Sequence, residues 1–147
     1  MSFDCGVSSL NEWLHRRALK NESSHGSRTY VVCETHRVVG YYALAAGSIA
    51  RREAPGRIKR NMPEPIPALI LGRLAVDHRY QGQGVGQGLL KNAVCRAITV
   101  SRQVGVRVLI VHVLSDRAKT FYLKHGFINS PLTPDTLILP ITLPDSK

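Results

Sequence analysis

A glycine-rich turn between an apolar run and a helical pattern constrains this chain more than any other feature. Residues 68–76, ALILGRLAV, are apolar through most of their length and predict a central strand. The turn from Gln81 to Gly86 reads QGQGVG, and a helical pattern follows it directly. Backbone N–H groups are unpaired at a helix start, and the helix dipole adds partial positive charge there. Because glycine lets the backbone approach a phosphate closely, this turn predicts a pyrophosphate site.

The spacing of the glycines separates this turn from two better known phosphate loops. A P-loop needs Lys followed by Ser or Thr after its glycines, and Gln87 and Gly88 stand there instead. The dinucleotide fingerprint G-x-G-x-x-G fails because its last glycine would fall on Gln87 or Leu89. The remaining pattern, Gln-x-x-Gly-x-Gly, resembles the acetyl-coenzyme A pyrophosphate loop of the GCN5-related N-acetyltransferases (GNAT family). From the pattern alone, a glycine turn that binds nothing stays open as the alternative.

Length and composition indicate one globular domain. The chain has 147 residues, 44% of them hydrophobic, which is typical of a soluble domain with a single core. It contains no apolar run as long as a membrane span, and its first residues do not form a signal peptide. Cys5, Cys33 and Cys95 are too far apart for a disulfide framework or a zinc pattern, so we expect a cytoplasmic protein without a metal. We expect Cys33 and Cys95 to be small core residues.

The charge indicates a polyanionic partner. Lys and Arg number 20 against 10 Asp and Glu, which gives a net charge of +10. A domain this basic attracts polyanions, and nucleic acid is the usual one. One cluster contains a single acid, Glu53, and its cations are Arg51, Arg52, Arg57, Lys59 and Arg60. A solvated surface is the alternative for a scattered excess, but clustering favours contact with nucleic acid.

The pattern of apolar and polar residues predicts a mixed α/β fold on one sheet. Ser9 and Glu12 have capping-box spacing, which predicts a first helix over 9–21. The further predicted elements are an antiparallel hairpin of strands 29–33 and 38–46, a basic loop over 47–67 with one helical turn, strand 68–76, a helix from the glycine turn to about Gly105, strand 106–113, a helix capped by Ser115 and stopped by Gly126, and one or two strands within 127–141.

A second pattern lies in the last predicted helix, where residues 118–127 read AKTFYLKHGF. In the acetyltransferases, a tyrosine within a pattern like A-x-x-F-Y-x-x-x-G-F supplies the acid for the departing thiolate, and the resemblance puts that role on Tyr122. A thiol has a pKa near ~8.5 and a phenol near ~10, so full proton transfer is slightly uphill. A hydrogen bond that strengthens as the sulfur gains charge would still help. A core tyrosine with a satisfied hydroxyl is the alternative for Tyr122.

The sequence offers no strong general base. No nucleophile–base arrangement can be read from spacing, no histidine pair has metal-ligand spacing, and His112 fits a satisfied strand histidine. An α-amino group titrates near ~7.7–8.0, and an adjacent ester lowers that pKa further, whereas a lysine near ~10.4 would need a base. The missing base therefore favours an aminoacyl ester as the acceptor.

The resemblance becomes specific in the order of further sequence blocks. These are F-x-C-G (Phe3 to Gly6), L-N-E-W-L (Leu10 to Leu14), R-A-L-K-N (Arg17 to Asn21), S-R-T-Y-V-V (Ser27 to Val32), V-V-G-Y-Y-A-L (Val38 to Leu44), A-P-G-R (Ala54 to Arg57), R-N-M-P (Arg60 to Pro63) and L-G-R-L-A-V-D (Leu71 to Asp77). Over nearly the whole chain they resemble the acetyltransferase toxins of bacterial type II toxin–antitoxin modules, the TacT/KacT/AtaT-like group.

That resemblance implies a fold, a reaction and a set of site residues. The fold is the GNAT fold, a mixed and mostly antiparallel sheet flanked by helices, with an acetyl-coenzyme A cleft between its two central strands. The reaction moves acetyl from acetyl-coenzyme A to the amino group of aminoacyl-tRNA, which blocks translation. The partners are a ribbon-helix-helix antitoxin and a second copy in a homodimer. The implied cofactor-binding residues are Leu74, Ala75, Val76, Gln81, Gly82, Gln83, Gly84, Val85, Gly86, Ser115 and Phe121. The implied tRNA-binding residues are Arg51, Arg52, Arg57, Lys59, Arg60 and Arg73.

Two matters stay open at this point. Members of the group usually carry a further segment with a first β-strand before the F-x-C-G block, which here begins at Phe3. We expect residues 1–147 to be a single GNAT domain and leave open whether its first strand is absent. The alternatives for function are acetylation of a protein amino terminus or a lysine, and a nucleic-acid-binding module without catalysis.

Overall fold

The computed structural model describes residues 3–14, 26–34 and 37–141 of the chain. The strands are β1 (Arg28–Glu34), β2 (Arg37–Ile49), β3 (Ile66–Val76), β4 (Val108–His112), β5 (Ile128–Asn129) and β6 (Thr136–Pro140). The helices are α1 (Ser8–Glu12), α2 (Gly56–Lys59), α3 (Val85–Ser101) and α4 (Asp116–Lys124), with 3-10 turns at Arg51–Glu53 and His78–Tyr80. The order of predicted strands and helices is therefore confirmed.

The six strands form one mixed sheet in the order β1-β2-β3-β4-β6-β5. β1 and β2 form the predicted antiparallel hairpin, and β6 pairs antiparallel with both β4 and β5. β3 and β4 pair in parallel from Ala68 opposite Val108 to Ile70 opposite Ile110. A parallel pair needs a crossover connection, and α3 lies in the segment that joins these two strands. The prediction of a mixed, mostly antiparallel sheet with helices is confirmed.

The chain comprises two compact units. The first contains Met1–Ala45 and Leu71–Val94, and the second contains Ala46–Ile70 and Cys95–Lys147. In the first unit an aromatic core surrounds Tyr41, whose ring stacks on Trp13 at 5.8 Å between centroids. In the second unit Val108, Ile110 and Ile138 form the centre of an aliphatic core. The prediction of one GNAT domain over 1–147, and the question of its first strand, stay predictions.

Two expectations were wrong. Cys33 and Cys95 are exposed, whereas Cys5 is buried. Cys33 lies on the sheet-edge strand β1, whose residues from Val31 to Glu34 are exposed, and Cys95 lies on the exposed face of α3, so neither reaches a core.

The prediction of a capping box that starts at Ser9 was also wrong. Helix α1 begins at Ser8, its N-cap is Val7, and no side chain caps it. Instead the carbonyl of Val7 accepts hydrogen bonds from the N–H groups of Leu10 and Asn11, each at 3.1 Å. The first helix is predicted over 9–21, and its part from residue 15 to residue 21 lies outside the described residues.

Candidate functional site

The glycine-rich turn starts from a buried carboxylate, Asp77, directly after β3. Its side chain is fully buried, and its N–H donates to the carbonyl of Val39 at 2.8 Å. The Oδ1 atom accepts from the N–H of Arg79 at 3.0 Å and from its Nε at 2.8 Å, while Oδ2 accepts from its Nη2 at 2.7 Å. These side-chain bonds, with the backbone N–H groups of Arg79 and Asp4, hold the pKa of Asp77 well below its usual range despite burial. The carboxylate therefore stays ionised and shapes the 3-10 turn that leads into the loop.

The side chain of Gln81 shapes the next part of the turn. Its Nε2 donates to the carbonyl of Val76 at 2.9 Å and to the carbonyl of Cys5 at 3.0 Å. Gln83 folds back in the same way, since its Nε2 donates to the carbonyl of Arg79 at 3.3 Å. Both amide side chains thus bond to the backbone of the first unit.

The backbone N–H groups of residues 82–87 are the main feature of the site. Among the described residues, no hydrogen bond from any of these groups to a protein acceptor is recorded, and the first such bond runs from Gly88 to the carbonyl of Gly84 at 3.0 Å. Gly82 and Gly84 have φ of +79° and +84°, which side-chain-bearing residues rarely adopt, and open space surrounds both. Unpaired amides at the start of the 17-residue helix α3 form a site that suits an anion.

A close approach between α3 and the sheet places these amides. A Cβ atom on Gly40 of β2 would lie 2.8 Å from Leu89 Cδ1, 3.2 Å from the carbonyl oxygen of Ala75 and 3.3 Å from Val85 Cγ1. A side chain there would require Leu89 to shift and would crowd the Ala75 carbonyl and Val85, so glycine accommodates the first turn of the helix with the least rearrangement. We did not select Gly40 from the sequence, although a glycine inside an apolar strand pattern is a signal of close backbone approach.

The end of β3 supplies further backbone groups. The N–H of Asp77 donates to Val39 on β2, and residues alternate in the side to which they direct their backbone groups. The backbone groups of Leu74 and Val76 therefore point away from β2. The carbonyl of Val76 accepts from Gln81, and Ala75 between them is buried.

In the second unit, Tyr122 lies on α4, which is capped as the sequence predicts. The Oγ of Ser115 accepts from the N–H of Ala118 at 3.1 Å, and Gly126 follows the helix with φ of +95°. Tyr122 is 6% exposed, and its ring makes edge contacts with Phe121 and Phe127. No hydrogen bond to its hydroxyl is recorded among the described residues.

Burial raises the pKa of the Tyr122 phenol well above its usual range, because the charged form is desolvated. The hydroxyl is therefore neutral at physiological pH. A neutral phenol in a mostly apolar setting is a hydrogen-bond donor for an atom that gains negative charge.

The neighbours of Tyr122 that the sequence singled out have other contacts. Ser115 uses its hydroxyl to cap α4, and Phe121 is half-buried with its ring centroid 4.7 Å from that of His125. His112 is exposed, and its Nδ1 lies 3.1 Å from the hydroxyl oxygen of Thr136. The expectation of a satisfied strand histidine fits this contact.

The basic cluster stands on a fixed backbone in the second unit. Within the segment 47–67 that carries the cluster, Ala54 and Ile58 are 1% and 0% exposed and belong to the aliphatic core. The Nη2 of Arg51 donates to the carbonyl of Lys59 at 3.1 Å, which ties the 3-10 turn to α2. The exposed cations of the cluster are Arg51, Arg52, Arg57 and Arg60, and Lys59 is half-exposed. No ion pair between these cations and a carboxylate is recorded in the described ranges.

Arg73, on β3 in the first unit, has a different environment. Its guanidinium carbon lies 4.5 Å from the centroid of the Trp13 ring, which is a cation–π geometry. Trp13 is itself 3% exposed. Part of the Arg73 charge is therefore engaged within the first unit, and its assignment to tRNA stays a prediction.

The side-chain groupings of metal sites and the long apolar helices of membrane spans are both absent from the described part of the chain. Its residues contain no group of three His, Cys, Asp or Glu side chains placed to hold a metal ion. None of its helices combines the length and the apolar character needed to cross a membrane.

Comparison with known proteins identifies the family. A family model described as an acetyltransferase (GNAT) domain matches residues 25–129. The tRNA-acetylating toxin of Mycobacterium tuberculosis is 47% identical to this chain over 138 residues, which cover 94% of this chain and 83% of the toxin.

Solved structures give the same result. AtaT complexed with acetyl-methionyl-tRNAfMet superposes with a TM-score of 0.88 at 33% identity, over 94% of this chain and 85% of AtaT. A tyrosine-to-phenylalanine mutant of AtaT, bound to the C-terminus of the antitoxin AtaR and acetyl-CoA, superposes with a TM-score of 0.81 at 31% identity, over 95% of this chain and 83% of that chain.

Proposed function

Because this chain belongs to the GNAT family of acetyl-coenzyme A-dependent N-acetyltransferases, we propose that it acetylates the amino group of aminoacyl-tRNA and so blocks translation. One observation of the chain itself supports the proposal: the backbone N–H groups of residues 82–87, which donate to no acceptor within the described part of the chain, form a site that suits a pyrophosphate. The relatives supply the acceptor, since one is a tRNA-acetylating toxin and another was solved with acetyl-methionyl-tRNA.

In this proposal the loop binds the cofactor through its backbone. The amides of Gln83, Gly84, Val85 and Gly86, with Gly82 allowing the approach, hold the pyrophosphate, and Gln81 keeps the loop in shape. The pantetheine arm lies along the backbone of Leu74, Ala75 and Val76 like an added strand. Acetyl-coenzyme A, when bound, supplies the acetyl group and the thiol that leaves.

Tyr122 is the proposed acid. The amine nitrogen bonds to the acetyl carbon, the carbon–sulfur bond breaks, and the sulfur leaves with the bonding electrons, while the acylated nitrogen releases one proton to solvent. Since burial raises the pKa of Tyr122 still further above that of a thiol, the phenol stabilises the departing thiolate first as a hydrogen-bond donor. Proton transfer from Tyr122 to the sulfur completes late, when the sulfur has gained most of its charge, and the phenolate then regains a proton from solvent. Phe121 and Ser115 stay proposed cofactor contacts, beside their roles in packing and capping α4.

The acceptor explains the weak general base. An α-amino group near ~7.7–8.0 next to an ester is largely neutral at pH 7, so it attacks without a strong base. The acceptor is an RNA, whose phosphate backbone is a polyanion. The segment that carries the basic cluster is held by the buried side chains of Ala54 and Ile58, and the cations of the cluster are exposed or half-exposed: Arg51, Arg52, Arg57, Lys59 and Arg60. We assign the tRNA to this cluster, with Arg73 as a further contact.

The finer parts of the proposal concern partners and place. AtaT was solved with the C-terminus of its antitoxin AtaR, and we infer that a ribbon-helix-helix antitoxin neutralises this chain in the same way. We also infer a homodimer that acts in the cytoplasm, where charged tRNA is available.

The deciding experiment incubates the protein with acetyl-coenzyme A and a mixture of aminoacyl-tRNAs, followed by mass spectrometry of the aminoacyl esters. We expect N-acetyl-aminoacyl esters with wild type, and about 10²–10³ slower turnover with Tyr122→Phe, because the donor to the thiolate is removed while the ring is kept. Tyr80→Phe is the matched control, since its hydroxyl lies 3.3 Å from Oε1 of the exposed Glu34. A parallel incubation with protein extract and labelled acetyl-coenzyme A tests the other acceptors: label on protein termini or lysines, with unmodified aminoacyl-tRNA, would overturn the proposed acceptor.

A further inference from the structure

The segment Asp4–Gly6, here named the brace, lies against the turn that precedes the glycine loop. The N–H of Asp4 donates to Oδ2 of the buried Asp77 at 3.2 Å, and the carbonyl of Asp4 accepts from the N–H of His78 at 2.8 Å. The carbonyl of Cys5 accepts from Nε2 of Gln81 at 3.0 Å. These three hydrogen bonds, with a further contact of 2.9 Å between Nδ1 of His78 and the carbonyl oxygen of Asp4, connect the brace with Asp77, His78 and Gln81, more than 70 positions away in sequence.

The brace is itself held by one side chain, Asn11 of α1. Its Oδ1 accepts from the N–H of Cys5 at 2.8 Å, and its Nδ2 donates to Oδ1 of Asp4 at 2.9 Å. The same Asp4 oxygen accepts from the N–H of Gly6 at 2.9 Å. Asn11, which lies on α1 and not in the loop, therefore bonds to two of the three residues of the brace.

We propose that Asn11 and Gln81 are positioning residues for acetyl-coenzyme A, which act through the brace on the amides of residues 82–87. The inference rests on the proposed binding of pyrophosphate by this loop. Gln81 has a double role, because one Nε2 atom bonds both to Val76, at the end of β3, and to Cys5, in the brace. When either hydrogen bond is removed, the loop samples conformations in which its amides diverge, and the binding-competent conformation becomes a smaller fraction of the ensemble.

Because the loop is exposed, the loss of one of these hydrogen bonds should change the affinity for the cofactor. Residues 81–84 are exposed and lack the close packing that would keep their conformation without the side-chain bonds. Order in the loop therefore depends on the hydrogen bonds of Gln81, Asp77 and the brace. Preorganisation of this kind changes cofactor affinity and leaves the chemical step unchanged.

The test measures binding of coenzyme A, which has no acetyl group to transfer, by isothermal titration calorimetry. Gln81→Met keeps the side-chain length and removes both donors, and we expect the dissociation constant to rise about tenfold. We expect a rise of about threefold to tenfold for Asn11→Ala, although Asn11 does not touch the proposed ligand. Steady-state kinetics should place both effects in the KM for acetyl-coenzyme A, with kcat kept.

A double-mutant cycle separates the proposed connection from two independent effects. If Asn11 and Gln81 act through the same brace, the double variant loses less affinity than the product of the two single losses. If the affinity loss of the double variant equals the product of the two single losses, Asn11 and Gln81 act independently and the proposed connection through the brace is wrong. Asn129→Ala and Gln103→Met are matched controls at exposed positions of the second unit. Asn11→Ser serves if Asn11→Ala does not fold, as judged by circular dichroism.

Gly84→Ala distinguishes failure of this inference from failure of the proposed loop. If Gly84→Ala weakens coenzyme A binding while Asn11→Ala and Gln81→Met leave the dissociation constant within about twofold of wild type, the brace has no role in positioning. If Gly84→Ala leaves both the dissociation constant and the free energy of unfolding unchanged, the loop itself is not the pyrophosphate site.

Discussion

Replacement of Gly84 by alanine tests whether the conformation of the loop is what binds the cofactor. Gly84 has φ of +84°, and a Cβ atom there would meet nothing within 4 Å. The substitution therefore adds no clash, and its cost is the conformational penalty of alanine in the left-handed region, roughly 1–2 kcal/mol. Because the loop is exposed, alanine can escape that penalty by letting the free loop relax to negative φ.

Relaxation of the free loop converts the penalty into weaker binding. Binding must then restore the positive φ, so the dissociation constant for coenzyme A should rise by a factor of about 5–30, which corresponds to 1–2 kcal/mol. If part of the strain stays in the folded protein, that part appears as a lower free energy of unfolding. The two effects together should amount to roughly 1–2 kcal/mol.

The assay combines calorimetric titration of coenzyme A with urea unfolding of the free protein. Gly105→Ala is the control, because Gly105 has no positive φ and also has open space around its Cβ position. The reasoning is refuted if Gly84→Ala and Gly105→Ala give the same affinity and the same free energy of unfolding.

Two further predictions concern charge. Asp77→Asn should lower the free energy of unfolding by about 2 kcal/mol at pH 7, because bonds of the buried carboxylate to Arg79 lose their charge. The native pKa of Asp77 lies below its unfolded value of about 3.9, so wild type keeps this contribution above about pH 4 and loses it as the pH falls further. Urea unfolding at pH 7 and pH 3 should show the difference shrink, and a constant difference would contradict the assignment. Arg57→Gln with Arg60→Gln should weaken tRNA binding and reduce the salt slope by about 2, because two cations no longer neutralise phosphates. Filter binding across salt concentrations measures this slope, and an unchanged slope would remove the cluster from the RNA interface.

The sequence predicted the elements and the loop well because their signals are local. Strand periodicity, the glycines at 82, 84 and 86, and the cap at Ser115 each depend on residues within a few positions. The mixed sheet followed from the order of these elements, and the resemblance supplied the family. The prediction that Cys33 and Cys95 lie in the core was wrong, because small residues fit both the core and the surface and their local sequence does not determine which.

The sequence by itself determined that a strand runs through a glycine turn into a helix, and that the chain carries a strong basic excess. Only the tertiary structure decided that the amides of residues 82–87 donate to no acceptor in the described ranges, that Gly40 lets α3 approach the sheet, and that Asp77 and Gln81 bond to the brace. The physical reason is the distance along the sequence between the groups that interact. A turn conformation depends on neighbouring φ and ψ angles, whereas the partner of a buried carboxylate 73 residues away depends on how the whole chain packs.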